Sequence, residues 1–149
     1  MGEGIQILYL KKFSFPDGDT EAGIISSILT KWHNTVYPFK IASDRLLNEI
    51  SFSPITILYG SNGCGKTTIL NIMAEKLGLE RGTLFNKSSF FDEYLKLCSY
   101  SLKCDRLPES SRIITSDDVF DFMLKERMLN NGIDDRREEL VKEYLDYKA

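Results

Sequence analysis

The chain has 149 residues, 42% of them hydrophobic and 28% charged, enough for one globular domain with a proper core and too apolar for a disordered chain. A net charge of −3 and a pI near 5.3 argue against a surface built mainly to attract nucleic acid. No apolar run is long enough to cross a bilayer.

The N-terminal "MGEGIQILYLKK" lacks the basic-then-apolar layout of a signal peptide, and "MGEGIQ" lacks the Ser or Thr of a myristoylation signal. Residues 5–15 read as a strand rich in aliphatic and aromatic residues, closed by the turn "PDGD". Over 21–32, Ile24, Ile25, Ile28, Leu29 and Trp32 share one helical face. Residues 35–42 read as an edge strand, because Pro38 cannot donate to a central ladder. "EISFS" before Pro54 is a further short strand, and Ile55–Tyr59 reads as a buried strand.

Behind that strand, Gly60 to Thr67 fits G-x-x-x-x-G-K-[ST] at every fixed position. An amphipathic helix follows, with Ile69, Leu70, Ile72, Met73 and Leu77 facing the core and Gly78 ending it. Strand, glycine loop and helix together make an anion nest, in which backbone N–H groups and the helix dipole favour the same negative charge. The predicted nucleotide-binding residues are Gly60, Ser61, Asn62, Gly63, Cys64, Gly65, Lys66, Thr67 and Thr68. Lys66 would bridge the β- and γ-phosphates of a nucleoside triphosphate, Thr67 would ligate Mg²⁺, and Thr68 would reach the α-phosphate. Cys64 fills a free position of the motif, either as a tolerated small residue or as a thiol acidified by the helix N-terminus.

Residues 83–105 read as a short helix followed by a strand, or as one irregular strand. "SRIIT" is a short strand, and Ser116 is a good N-cap for a helix carrying Phe120, Met123, Leu124 and Met128, which Asn131–Gly132 stop. A last, mostly charged helix begins near Asp134 or Asp135, with Glu138 placed as in a capping box. Cys64, Cys98 and Cys104 are an odd count without metal-ligand spacing, and His33 is remote from them in sequence. Reduced thiols in a cytoplasm are the expectation, and Trp32 and His33 are read as structural or surface residues.

The flanks of the loop resemble the ATPase domains of ABC proteins and of the structural-maintenance-of-chromosomes group. "LYLKKFSFPDGD" looks like the family's first strand, "LLNEISFS" like the segment before the loop strand, and "GSNGCGKTTILN" like its form of the loop. This resemblance covers about the first half of the chain and points to ABC-like AAA-type ATPases. It implies that Phe15 stacks on adenine, with Tyr37 or Phe39 as substitutes if the alignment shifts, a core aromatic being the alternative for each. Phe15 lies 45 residues before Gly60, a longer separation than the family's, so the helix 21–32 would be an insertion. No "LSGGQ"-like signature and no four aliphatics before Asp-Glu occur, and Gln6 is the only glutamine. Where the family places a glutamine at a strand's end, this chain has Ser116, Asp117 and Asp118. A carboxylate there would reach the Mg²⁺ shell; a helix cap with first-turn acids is the alternative.

The expected fold is α/β, a P-loop NTPase with an ABC-like mixed sheet and flanking helices. A parallel sheet would run through Ile55–Tyr59 and 112–115, with the N-terminal strands partly antiparallel to it. Residues 1–149 would form the N-terminal portion of a nucleotide-binding domain, with 117–149 a helical segment leading to a further helical part. The implied function is ATP and Mg²⁺ binding, with Lys66, Asp117 and Asp118 as catalytic candidates and Thr67 and Asp118 as metal ligands. Hydrolysis would need a second half carrying signature and Walker B, and the resemblance also implies two ATPase domains facing each other, from a homodimer or a C-terminal half. A small P-loop kinase and a non-hydrolysing, nucleotide-gated interaction module are the alternatives.

Overall fold

The computed structural model describes residues 8–29 and 36–148. In chain order they form β1 (Leu10–Ser14), α1 (Gly18–Leu29), a 3-10 turn at Ser43–Arg45, β2 (Glu49–Ser51), α2 (Lys66–Leu77) and β3 (Glu80–Arg81). There follow α3 (Phe91–Leu97), β4 (Ser99–Leu102), β5 (Arg112–Ile113) and α4 (Ser116–Lys148). Two compact units result, one within Met1–Glu80 and Phe85–Ile113, the other within Arg81–Leu84 and Ile114–Ala149.

The first unit is organised on an antiparallel sheet of order β2-β1-β4. Phe13 of β1 pairs with Ile50 on one side and Tyr100 on the other, and it turns its ring fully inward. The inward ring meets an aromatic core supplied from separate parts of the chain. Phe13 and Phe15 lie 5.0 Å apart by ring centroid, Phe39 meets Tyr94 edge-on at 5.0 Å, and Phe85 meets Phe91 at 5.2 Å. Such pairs contribute about 0.5–1.5 kcal/mol beyond the area they bury. Cys98, at the C-terminal end of α3, lies in this core, and burial pushes its thiol up to about 12 against a smaller opposing pull from Lys76. Across β1 and β2, Lys12 pairs with Glu49 at 2.8 Å, but both are well exposed and such pairs contribute little.

Helix α1 starts earlier than periodicity implies, at Gly18, because the Asp17 carboxylate accepts the Thr20 N–H at 2.8 Å and caps it. The Thr20 side chain and, after it, the Thr20 N–H hold the Asp17 carboxyl below the usual carboxylate range. Ile25 is buried and Ile24 half-buried, as the apolar stripe requires. Trp32 and His33 lie outside the described residues.

Glu21 on the same helix is 1% exposed, and no sequence pattern signals it. Its Oε2 accepts the Lys40 N–H at 2.6 Å and the Ser43 hydroxyl at 2.7 Å. A carboxylate is tolerated in the interior where it is hydrogen-bonded, and here Oε2 carries both bonds. The result fixes residues 40–43 against α1. Burial of Tyr94, with the Glu21 charge beside it, raises the phenol above its ordinary range.

Four expectations are corrected. Residues 36–42 form turns rather than an edge strand: the Tyr37–Pro38 peptide is cis, Lys40 has φ 67°, and the Phe39 N–H bonds back to the Val36 carbonyl at 2.9 Å. Ile55–Tyr59 is not a buried strand. Among the described residues no strand pairs with it, and Ile57 and Tyr59 are 82% and 98% exposed. Among the described residues the sheets are the antiparallel one and a two-stranded pair of β3 with β5, not a parallel sheet through 55–59 and 112–115. Finally, α4 runs unbroken from Ser116 to Lys148 through Asn131–Gly132. One interior glycine costs a helix only about 1 kcal/mol, and strong helix formers surround this one. For 83–105 the helix-then-strand alternative holds, as α3 and β4.

Candidate phosphate-binding site

The loop between the extended 55–59 segment and α2 is shaped by its glycines and by what abuts it. Gly65, immediately before α2, has φ 88°, and a Cβ there would lie 2.7 Å from Ile41 Cγ2. Conformation and space therefore both demand glycine at this position. Ile41 belongs to the stretch that Glu21 secures, so the buried carboxylate on α1 supports the loop from behind.

Lys66 opens α2, and its ammonium bends back over the loop. Nζ donates to the Gly60 and Ser61 carbonyls, each at 2.7 Å, and lies 3.4 Å from Cys64 Sγ. The helix is pinned by Ile69, Ile72, Met73 and Ala74 on its buried face, and Gly78, at φ 65°, ends it. Leu70, expected on that face, is exposed. Thr67 is exposed and Thr68 half-buried in the first turn, where backbone N–H groups have no intrahelical acceptor. A positive side chain, free N–H groups and the N-terminal dipole converge on one small volume. That is the chemistry of an oxyanion cradle.

Beside it opens a cleft of about 510 Å³, floored by Thr67, Thr68 and Asn71 of α2 and walled by residues 85–88 and Tyr37. The Ser88 hydroxyl donates to the Tyr37 carbonyl, tying the two walls together. Of the three aromatics offered for stacking, Phe15 is 6% exposed and packed on Phe13, and Phe39 is buried against Tyr94. For both, the core reading is the one realised. Tyr37 alone reaches the cleft.

The remaining two site candidates fall in the second unit. Asp117 is exposed in the first turn of α4. Asp118 Oδ2 accepts both the N–H and the hydroxyl of Thr115, each at 2.7 Å, while Thr115 Oγ1 is 3.4 Å from the Asp118 N–H. This reciprocal pair is a capping box, with Thr115 rather than Ser116 as the cap. The Thr115 donors, backbone first, hold the Asp118 carboxyl below its ordinary range, helped by Thr83 and Arg81. Among the described residues, no three His, Cys, Asp or Glu side chains gather as a metal site.

No solved structure matches the chain. A sequence model described as ABC transporter matches residues 46–146, which include the whole glycine loop, α2 and most of α4. That match spans more than half of the chain and carries with it the P-loop NTPase fold. The protein belongs to the ABC transporter family and contains its ATP-binding domain.

Proposed function

We propose that residues 60–68 hold Mg·ATP, with Lys66 on the β- and γ-phosphates, Thr67 on the metal and Thr68 at the α-phosphate. The observation that carries this reading is the Lys66 ammonium bent over a glycine-shaped loop at the N-terminus of a well-anchored helix. Its present acceptors, the two carbonyls and the Cys64 sulfur, are neutral, and a phosphate offers charged oxygens that add ion-pair attraction to the hydrogen bond.

The donor set fits magnesium. Mg²⁺ takes oxygen ligands and completes its shell with phosphate and water rather than an all-protein cage, so one exposed hydroxyl at Thr67 is an adequate start. Bound there, the ion would neutralise charge on the β- and γ-oxygens. Of the two candidate carboxylates at the start of α4, Asp117 is the freer, because Asp118 would have to give up its Thr115 bonds to serve a metal.

Turnover, in this reading, needs parts that residues 1–149 do not carry: a signature motif, a Walker B carboxylate and a group that orients water. A second ATPase domain facing the bound nucleotide would supply them, with the protein acting in the cytoplasm. No helix of the described residues is long and apolar enough to cross a membrane.

Calorimetry with Mg·ATP on wild type and Lys66→Ala tests the binding site. The variant is expected to lose binding with its far-UV circular dichroism unchanged, because the charge-assisted contacts removed contribute at least about 1.5–3 kcal/mol. Equal affinities would end the phosphate-loop assignment. Steady-state ATPase activity should be near background; robust turnover lost in Asp117→Asn or Asp118→Asn would make that aspartate a metal ligand of a self-sufficient enzyme.

A further inference from the structure

We infer that α4 pairs with the α4 of a second copy of this chain, antiparallel and centred on Asn131, along a seam from Phe122 to Leu140. The inference stands apart from the phosphate-loop reading, since no residue of that loop takes part in it.

The seam consists of Phe122, Glu126, Leu129, Ile133, Arg136 and Leu140, all within the unbroken helix. Their steps alternate between four and three residues, the period at which one helix keeps a line of side chains against another. The four apolar members are each half exposed or more, with Ile133 at 64%. Around Gly132 the face sinks into a hollow of about 820 Å³, lined by Leu129, Ile133, Arg136 and Leu140 among others. Leu129, Gly132, Ile133 and Arg136 are the four corners of one knob-into-hole socket. Glycine leaves one corner open, with nothing within 4 Å of where its Cβ would stand. An apolar knob from another helix fits that socket.

The two charges in the seam decide which helix supplies the knob. A charge enclosed between helices is costly unless it meets its opposite. An antiparallel pair centred on Asn131 sets Glu126 opposite the second copy's Arg136, Leu129 opposite its Ile133, and Phe122 opposite its Leu140. Symmetry makes each of these contacts twice. The second copy's Leu129 then enters the socket at Gly132. Beside the seam, Lys125 comes against the second copy's Glu139, which already binds Arg136 of its own helix at 2.8 Å. Lys125, Glu139, Arg136 and Glu126 thus form a chain of alternating sign across the two helices. Parallel pairing in register loses this, because it sets Glu126 on Glu126 and Arg136 on Arg136. Sliding the antiparallel pair by one heptad sets Glu126 against Leu129 in one direction and Ile133 against Arg136 in the other. Both slides leave an enclosed charge without a partner, so the charges fix orientation and register together.

Sedimentation equilibrium of the 149-residue chain, kept reduced because Cys104 is exposed, measures the pairing. Wild type is expected to dimerise by about 100 µM, an affinity within reach of a modest interface, whether or not Mg·ATP is present. Glu126→Arg and Arg136→Glu should each weaken the dimer at least about tenfold, because each sets like charges against one another at two symmetric places. Both side chains are exposed in the single chain, so neither change threatens its fold. An equimolar mixture of the two variants should recover wild-type association, since each supplies the charge the other lacks, and the double variant should recover it alone. A wild-type chain still monomeric at about 100 µM overturns the inference and leaves the α4 face to a different protein. A dimer indifferent to both reversals, or one that forms only when Mg·ATP is added, overturns it by placing the contact elsewhere. Reversals that weaken the dimer without recovery in the mixture overturn the antiparallel pairing.

Discussion

Helices α2 and α4 carry apolar side chains at the same helical spacing and meet opposite fates. In α2, Ile69, Ile72 and Met73 are buried against the aromatic core of the first unit. In α4, Phe120, Met123, Met128, Leu129 and Ile133 all stand largely in solvent, Met128 at 74% exposure. Period alone therefore specifies a helix and the face it would bury, but not whether anything covers that face. The 55–59 segment teaches the same for strands: its run ITILY is more apolar than the LKKFS of β1, but among the described residues it is β1 that has hydrogen-bonded neighbours on both sides. A site built on α2 inherits a rigid support, and one built on α4 does not.

The largest expected effect compares the two helices' surroundings directly. Phe91→Ala removes a fully buried ring that touches Phe85 and packs near Tyr37, and it should destabilise the chain by about 3–5 kcal/mol in urea unfolding. Met128→Ala on α4 should change stability by no more than about 0.5 kcal/mol. A large loss at Met128 would show that the α4 face is covered in solution, and the contrast between the helices would collapse.

The glycines of the two helices sharpen it further, with opposite signs. Gly78 ends α2 at φ 65°, its N–H bonded to the Glu75 carbonyl at 3.2 Å, a conformation that costs an L-residue about 1 kcal/mol. Gly132 sits inside α4 with nothing within 4 Å of where a Cβ would stand. Gly78→Ala should lower the midpoint of thermal unfolding. Gly132→Ala should raise helix content by circular dichroism, worth up to about 1 kcal/mol of helix propensity. A loss of helicity in Gly132→Ala would restore the helix stop that Asn131–Gly132 suggest in the sequence.

What the sequence makes legible is the part fixed by local chemistry. The glycine loop, Lys66, the start and end of α2, and the β1 and β2 strands follow from spacing, capping and propensity, and they stand in the structure. The illegible parts depend on partners distant in the chain. Glu21 looks like any first-turn acid until Lys40 and Ser43 close on it, and Phe85 and Asn86 look like loop residues until α2 lies beside them. The choice among Phe15, Tyr37 and Phe39 was open for the same reason: three aromatics of similar propensity are separated only by which of them the core consumes.

The smallest expected effect concerns the start of α4, where metal ligand and helix cap compete as readings of Asp118. The Thr115 N–H and hydroxyl both point at Oδ2, and such bonds favour the charged carboxylate, so the folded pKa lies below the ordinary value of about 3.9. A depressed folded pKa means the cap's contribution is present in full above the unfolded value and is lost as pH falls through the folded one. Carboxyl titration by NMR should place Asp118 below about 3.9, and Thr115→Ala should move it upward only part of the way, because the backbone donor, the larger cause, remains. Asp118→Asn should make helicity at the start of α4 insensitive to pH in that acid window, where wild type frays. If Thr115→Ala leaves the titration unmoved, the capping box does not govern this carboxylate. If Mg·ATP also lowers the titration and disrupts the Thr115 bonds, Asp118 serves the metal, and α4, exposed face and all, has to be counted part of the site.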